Sequence, residues 1–430
     1  MKKFRPTSEG QVFLLPPSVN ELVPKDHAAH FIHKIVREEL DLEGIKGEYT
    51  EDRGAPPYAP AVMTGLLLYG YMKGVYSSRQ LSRGCEERLD FMLVTGMSRP
   101  DHRTIAKFRR RHSEALKELF VQVVALCADA KITDLEHVAL DGTRIKASAA
   151  KDKSLRYKDI KRKEAETREK IDKWLKEAER QDREEDKEHG EDDRGDGFPP
   201  AEEALERFRA AKKRLEERVK KEHDERKEAE ISGEISPKRA RWKELPDEDD
   251  RYNMVDPDSR IMKTRNGFIQ GYNCQLAVDR KSHVIVSAHV STCADDHGEL
   301  KVALEQMKRH LLRLPKELSA DTGYFSEQNV KLIESCGITG YVAAGTDPPN
   351  PARMPRAGSF ARRMIERLRK GGKQSKYRLR KETVEPVIGN IKAARGFRQF
   401  LLRGLRLVAL EFSLVCSAHN LWKLFQIRAT

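Results

Sequence analysis

Long apolar runs are missing from this 430-residue sequence. A membrane-spanning helix needs about 18–20 consecutive apolar residues, yet even the apolar C-terminal stretch is broken by Arg406, Glu411 and His419. No membrane partner is expected. The first apolar stretch, Val12–Leu15, stops at Pro16-Pro17, too short for a signal-peptide core, so the expected location is the cytoplasm. Cysteine is scarce as well. Cys85, Cys127, Cys274, Cys293, Cys336 and Cys416 form no C-x-x-C pair, which excludes a zinc framework or a disulfide scaffold and reads as six reduced packing thiols. The phosphate-loop spacing G-x-x-x-x-G-K-[ST] is absent, and "RKGGKQSK" lacks both that spacing and a preceding strand, so no nucleotide cofactor is expected.

Charge is what the sequence has in excess, at 35% of residues, and it is unevenly placed. Residues 151–250 hold 29 Lys+Arg and 33 Asp+Glu, whereas residues 351–430 hold 19 against 4. The first segment has too little apolar surface for a core of its own. The second carries a local +15 that attracts a polyanion such as nucleic acid.

A chain of this length divides into two to four domains at roughly 100–200 residues each. Residues 1–125 read as helical, with an apolar segment Val62–Tyr71, a helix from Ser77 to Leu93 stopped by Gly96, and a second helix started by Pro100-Asp101. That second helix, "DHRTIAKFRRRH", places Arg103, Lys107, Arg109, Arg110 and Arg111 behind a tight turn. This is the layout of a helix-turn-helix whose second helix meets DNA; the alternative is a helical hairpin with a solvated basic face. In residues 151–249 two charged helical runs flank the breaker "HGEDDRGDGFPP", with Ile160, Ile171, Trp174 and Leu175 on one and Leu205, Phe208, Leu215 and Val219 on the other. An antiparallel coiled-coil hairpin is expected, either an arm touching DNA or a partner subunit or a solvated insertion. Residues 130–150 and 250–425 show strand-like runs at Val138–Ile145, Tyr272–Val278, Val284–Val290, Glu317–Ala320 and Ile338–Ala343. Helical stretches stand at Gly298–Leu312, Ser326–Cys336 and Val384–Ala394, making an α/β layered domain interrupted after its first strand.

Three acids stand out. Asp141 in "VALDGTRIKA" and Asp321 in "ELSADTGYF" each end a buried strand. On neighbouring strands, about 4.8 Å apart, their carboxylates would converge on shared metal ions; taken singly, each reads as a turn-former beside Gly142 or Gly323, and it is the pair that points to chemistry. Glu385 shares a helical face with Lys392, and Pro386 after it suggests a helix capped by Thr383, with Arg380 and Lys381 just before it. Asp295, Asp296 and His297 in "ADDHGEL" read as acids capping the next helix rather than as metal ligands.

The order of strands and helices resembles the RNase H-like fold, and "DGT", "ADTGY" and the series Tyr377, Arg380, Glu385, Lys392 resemble the DDE transposases of bacterial insertion sequences. The last series is the most specific, with six residues between Glu385 and Lys392. The resemblance implies an α+β multidomain protein: a helical N-terminal DNA-binding region, an RNase H-like mixed-sheet catalytic core, and a charged hairpin inserted into it. It implies that Asp141, Asp321 and Glu385 are catalytic and hold two Mg²⁺ or Mn²⁺ ions. It further implies that Tyr377, Arg380, Lys381 and Lys392 bind phosphates of double-stranded DNA, both transposon ends and target, in a homodimer or larger synaptic complex at the nucleoid. The rival readings are a non-catalytic DNA-binding or architectural protein and an RNase H-like nuclease that cuts without strand transfer.

Overall fold

The structure, a computed structural model, describes residues 18–49, 56–185, 200–231, 243–264, 266–345 and 354–428. The Val12–Leu15 stretch and, but for Pro200, the "HGEDDRGDGFPP" breaker lie outside them. Two units emerge, Met1–Ile145 with Asn273–Thr430, and Lys146–Tyr272.

The first unit opens with eight helices: α1 (Val19–Leu22), α2 (Ala28–Glu38), α3 (Glu43–Lys46), α4 (Pro60–Met72), α5 (Ser78–Glu87), α6 (Leu89–Thr95), α7 (His102–Arg111) and α8 (Ser113–Asp129). Pro60 occupies the first position of α4, where a missing N–H costs nothing, and the helix is buried on every side from Val62 to Met72. The single helix expected over Ser77–Leu93 is two helices. The chain extends at Arg88 (φ −125°, ψ 122°), where the guanidinium pairs with Asp90 at 2.6 Å and lies over the Phe91 ring. Gly96 then stops α6 in the left-handed region, and Asp101 caps α7 by accepting from the amides of Arg103 and Thr104.

Strand β1 (His137–Lys146) leads into the second unit, which contains β2 (Ser154–Arg156), α9 (Tyr157–Glu185), α10 (Pro200–Ile231), β3 (Arg251–Asn253), β4 (Arg260–Thr264) and the first residues of β5 (Gly267–Asp279). Helices α9 and α10 are antiparallel: Tyr157 donates to Glu216, and further along α9 Glu164 meets Lys212 and Arg209. Their seam buries Tyr157, Ile160, Ala211 and Leu215 with Tyr252. Trp174, expected on that seam, is 49% exposed. Strands β3 and β4 were not expected from the sequence; β4 pairs antiparallel with β5.

Back in the first unit come β6 (Ile285–Ser291), α11 (Glu299–Leu311), β7 (Glu317–Ala320), α12 (Glu327–Ser335), β8 (Thr339–Val342), α13 (Phe360–Gly371), α14 (Leu379–Gly389) and α15 (Leu405–Arg428). The sheet here runs β6-β5-β1-β7-β8. Strand β6 is antiparallel to β5, while β7 is parallel to both β1 and β8, so the fold is α+β with a mixed sheet. Helix α15 packs on α4, α8 and β6. Its Asn420 amide accepts from Ile285 N and donates to Ile285 O, both at 2.8 Å, satisfying backbone groups that β6 would otherwise leave unpaired. Among the described residues no helix is long and apolar enough to cross a membrane. Four cysteines are buried as expected, but Cys293 is exposed and Cys336 half-buried.

Candidate active site

The last register pair of the parallel β1–β7 ladder is Leu140 with Ala320. Asp141 is the next residue of β1 and Asp321 the first residue after β7, so the ladder itself sets the two acids side by side. Strand β1 continues past Asp141 to Lys146 rather than ending there. The Asp141 carboxylate accepts from the Gly142 amide at 2.9 Å through Oδ1 and from Arg380 Nη1 at 2.5 Å through Oδ2. Asp321 opens a single turn, Thr322–Tyr324, and its Oδ1 accepts from the Gly323 amide at 2.8 Å.

Glu385 arrives on α14, which starts at Leu379, five residues earlier than a cap at Thr383 requires. Arg380 and Lys381 therefore lie on the helix, Thr383 is buried within it, and Pro386 is internal. Proline cannot donate to the carbonyl four residues back. That carbonyl, Glu382 O, instead accepts from His283 Nε2 at 3.1 Å, which is how the helix tolerates its proline. Arg380 and Glu385 stand five positions apart on α14, and Arg380 Nη2 reaches along the helix to donate to Glu385 Oε1 at 3.3 Å. Arg380 bridges Asp141 and Glu385.

The electrostatics join all three acids. Burial pushes the Asp141 carboxyl up to about 6; Arg380 and the Gly142 amide oppose this, while the charges of Asp321 and Glu385 add to it. Burial works against the Arg380 charge, but Asp141, Tyr377 and Asp321 outweigh it and hold the guanidinium protonated. Its carbon lies 6.0 Å from the centre of the Tyr377 ring. Lys381 is exposed. Lys392 falls in a π-turn, Asn390–Ala394, and its ammonium donates to Arg144 O at 2.8 Å; burial lowers its pKa.

Sequence reasoning passed over Asp296. Helix α11 is capped by Gly298, without a side-chain hydrogen bond, so the capping role expected of the preceding acids is not the one found. Asp296 is buried, and its Oδ1 accepts from Asn273 Nδ2 and Gln275 Nε2, both at 2.7 Å. Tyr324 donates its hydroxyl to Gln275 Oε1, and the charges of Asp296, Asp141 and Asp321 all raise the pKa of that phenol beyond what burial does. The signal available in the sequence was polar alternation on β5, where Asn273 and Gln275 point to one face of a strand that is otherwise apolar.

The donors at this centre are carboxylate oxygens, the set preferred by a hard divalent cation. Three acids sharing a field with one arginine, and an Asp141 whose ionisation is suppressed, fit such a cation in charge. As they stand, no three His, Cys, Asp or Glu side chains among the described residues are gathered closely enough to hold one, and Arg380 stands between Asp141 and Glu385.

A second feature is a groove of about 800 Å³ lined by His102, Arg103, Lys107 and Arg110 of α7, Arg79 of α5, and Leu401–Leu402. Arg103, Lys107, Arg110 and Arg111 are exposed. Arg109 is not: it is 3% exposed and donates to Tyr71 Oη, Tyr76 O and Ser78 Oγ. Its place in the row is corrected from DNA contact to core. On the far wall the amides of Leu401 and Leu402 donate to Glu411 of α15, whose buried carboxyl is pushed up to about 7 by desolvation against the pull of those amides and Arg109.

Two family models match the sequence. One, described as transposase domain (DUF772), covers residues 17–111, and the other, described as transposase DDE domain, covers residues 353–425. Both matches support a DDE transposase of an insertion element. No curated protein and no solved structure gives a match. In this transposase the first matched segment holds the groove helices α5 and α7, and the second holds Tyr377, Arg380, Glu385 and Lys392. Asp141 and Asp321 lie between the two segments.

Proposed function

We propose that this transposase binds the terminal inverted repeats of an insertion element and catalyses divalent-metal-dependent DNA strand cleavage and strand transfer, with Asp141, Asp321 and Glu385 as its catalytic acids. The observation that carries the reading is the juxtaposition of Asp141 and Asp321 past the last rung of one parallel ladder, with Glu385 joined to Asp141 through Arg380. The sheet and its flanking helices are read as an RNase H-like core, and the α9–α10 pair as a coiled-coil arm inserted in it.

Two Mg²⁺ or Mn²⁺ ions held by these acids would supply Lewis-acid stabilisation of the attacking and leaving oxygens in an in-line displacement at phosphorus. The chain's own groups do the rest. The Gly142 and Gly323 amides orient the two strand-borne carboxylates. Arg380, beside Tyr377 and Lys381, offers a guanidinium fork matched to phosphate oxygens, and Lys392 adds a cation close by. The groove between α5, α7 and Leu401–Leu402 positions the DNA backbone through Arg103, Lys107 and Arg110, contacts that fix register without reading sequence. Synapsis of two ends calls for at least two copies of the chain.

The test compares Asp321→Asn and Glu385→Gln with wild type on an end-bearing duplex in Mg²⁺, by cleavage and by gel shift. Cleavage should fall by at least about 10²–10³ while binding persists. Variants that cleave normally would refute the assignment, and joint loss of binding and cleavage would make these acids structural. Strand-transfer products from the wild type separate transposition from plain nuclease action.

A further inference from the structure

The loop between β6 and α11 brings a fourth carboxylate over Gly142 of β1 and Gly323 just past β7. A methyl group on Gly142 would lie 2.9 Å from Asp296 Oδ1, and one on Gly323 would lie 2.9 Å from Asp296 Oδ2 and 3.1 Å from Asp321 Oδ1. Asp296 thus spans the two glycines whose amides orient the catalytic acids, and both positions are bare of side chain where it sits. One point above Gly323 is within 3.1 Å of a carboxylate oxygen from each of Asp296 and Asp321.

The partners of Asp296 are not those of a neutralised structural charge. A buried carboxylate that serves packing is normally closed off by a tight ion pair. Here the nearest cation is Arg144, whose Nη2 stands 3.8 Å from Oδ2 and donates instead to Ala294 O at 2.9 Å. Two neutral amides share Oδ1, and Oδ2 accepts no hydrogen bond from the described residues. Beside it, Asn273 Oδ1 is buried without a hydrogen-bond partner and lies 3.3 Å from the same point above Gly142. Asn329 ties the surrounding turns together by donating to both His297 O and Tyr324 O at 2.8 Å. The carboxylate is therefore held in place by neutral groups, with its charge left largely unspent toward Asp141 and Asp321.

We propose that Asp296 is a positioning residue of the catalytic centre, spacing the Asp141 and Asp321 turns and adding negative charge that favours divalent cations between them. The inference rests on the metal-dependent reading of the site. It is tested on the full-length, DNA-free protein by calorimetric titration with Mn²⁺ alone, with Asp321→Asn as the positive control and the exposed neighbour Asp295→Asn as the negative one. Asp296→Asn should bind Mn²⁺ at least tenfold more weakly than wild type while unfolding at a similar urea concentration, and Asp295→Asn should match wild type. Normal Mn²⁺ affinity in Asp296→Asn, with a loss in Asp321→Asn, would overturn the proposal and leave the metal reading standing. Normal affinity in both would overturn the metal reading and this inference with it. Should Asp296→Asn fail to fold, Gly323→Ala decides, because its methyl group intrudes between Asp296 and Asp321: a loss of tenfold or more supports the proposal, and unchanged affinity overturns it.

Discussion

Replacing Asp141 by asparagine should abolish strand cleavage and also make the metal-free protein harder to unfold at neutral pH. In the fold the Asp141 carboxyl is pushed from its ordinary value of 3.8 up to about 6, chiefly by burial and with help from Asp321 and Glu385. An acid whose folded-state pKa is raised destabilises the fold above that pKa and ceases to do so as pH falls below its unfolded value. At about 1.4 kcal/mol per pKa unit, the penalty is about 3 kcal/mol at pH 7.5, falls to about 1 kcal/mol at pH 4.5, and vanishes below the unfolded pKa. Asparagine keeps the volume and removes the charge. Arg380 is not orphaned by the change, since Glu385 Oε1 still accepts from its Nη2 at 3.3 Å. Urea denaturation in EDTA, followed by circular dichroism at both pH values, should therefore show Asp141→Asn more stable than wild type by up to about 3 kcal/mol at pH 7.5, with the gap narrowing at pH 4.5. No gain at pH 7.5, or an equal gain at both, would refute the reasoning, because either result means the charge at Asp141 carries no folding penalty.

Two further outcomes concern the basic groove. Replacing Arg103, Lys107 and Arg110 by alanine should weaken duplex binding regardless of sequence and reduce the slope of log affinity against log salt by about 0.9 for each phosphate no longer neutralised, read by filter binding between roughly 50 and roughly 200 mM salt. Arg109→Lys should leave that slope unchanged and instead lower stability by roughly 1–3 kcal/mol in urea titration, since a lysine cannot serve Tyr71, Tyr76 and Ser78 at once.

Asp141 and Asp321 were legible as acids following buried apolar runs, but that the two runs are neighbours in parallel register, which turns equal positions into adjacent ones, was only a condition there and is set by the ladder itself. Glu385 was legible by residue pattern, but its helix was not: Pro386 argued for a start at Thr383, and only the His283 ring, distant in sequence, satisfies the carbonyl that the proline leaves free. Arg109 could have been separated from Arg110 and Arg111, for it follows Ile105 by one helical turn and both are buried on the same face. Asp296 was hidden by a local rule. Acids before a helix usually cap it, and nothing local shows that this one turns back to Asn273 and Gln275 on another strand. Strands β3 and β4 are too short to mark a periodicity.

Helix α15 has a consequence for the gene as well as for the fold. It follows every other element in sequence, yet it buries Val408, Leu410, Phe412, Leu414, Val415, Leu421 and Leu424 against helices from the first 130 residues and against the sheet. Each such side chain is worth roughly 1.5–3 kcal/mol, so their joint removal rivals the roughly 5–15 kcal/mol by which a domain of this kind is stable. A frameshift or premature stop ahead of Leu405 should thus leave no stably folded N-terminal fragment. Disruption of the reading frame within the codons for α15 should therefore unmake the whole first unit rather than trim its end.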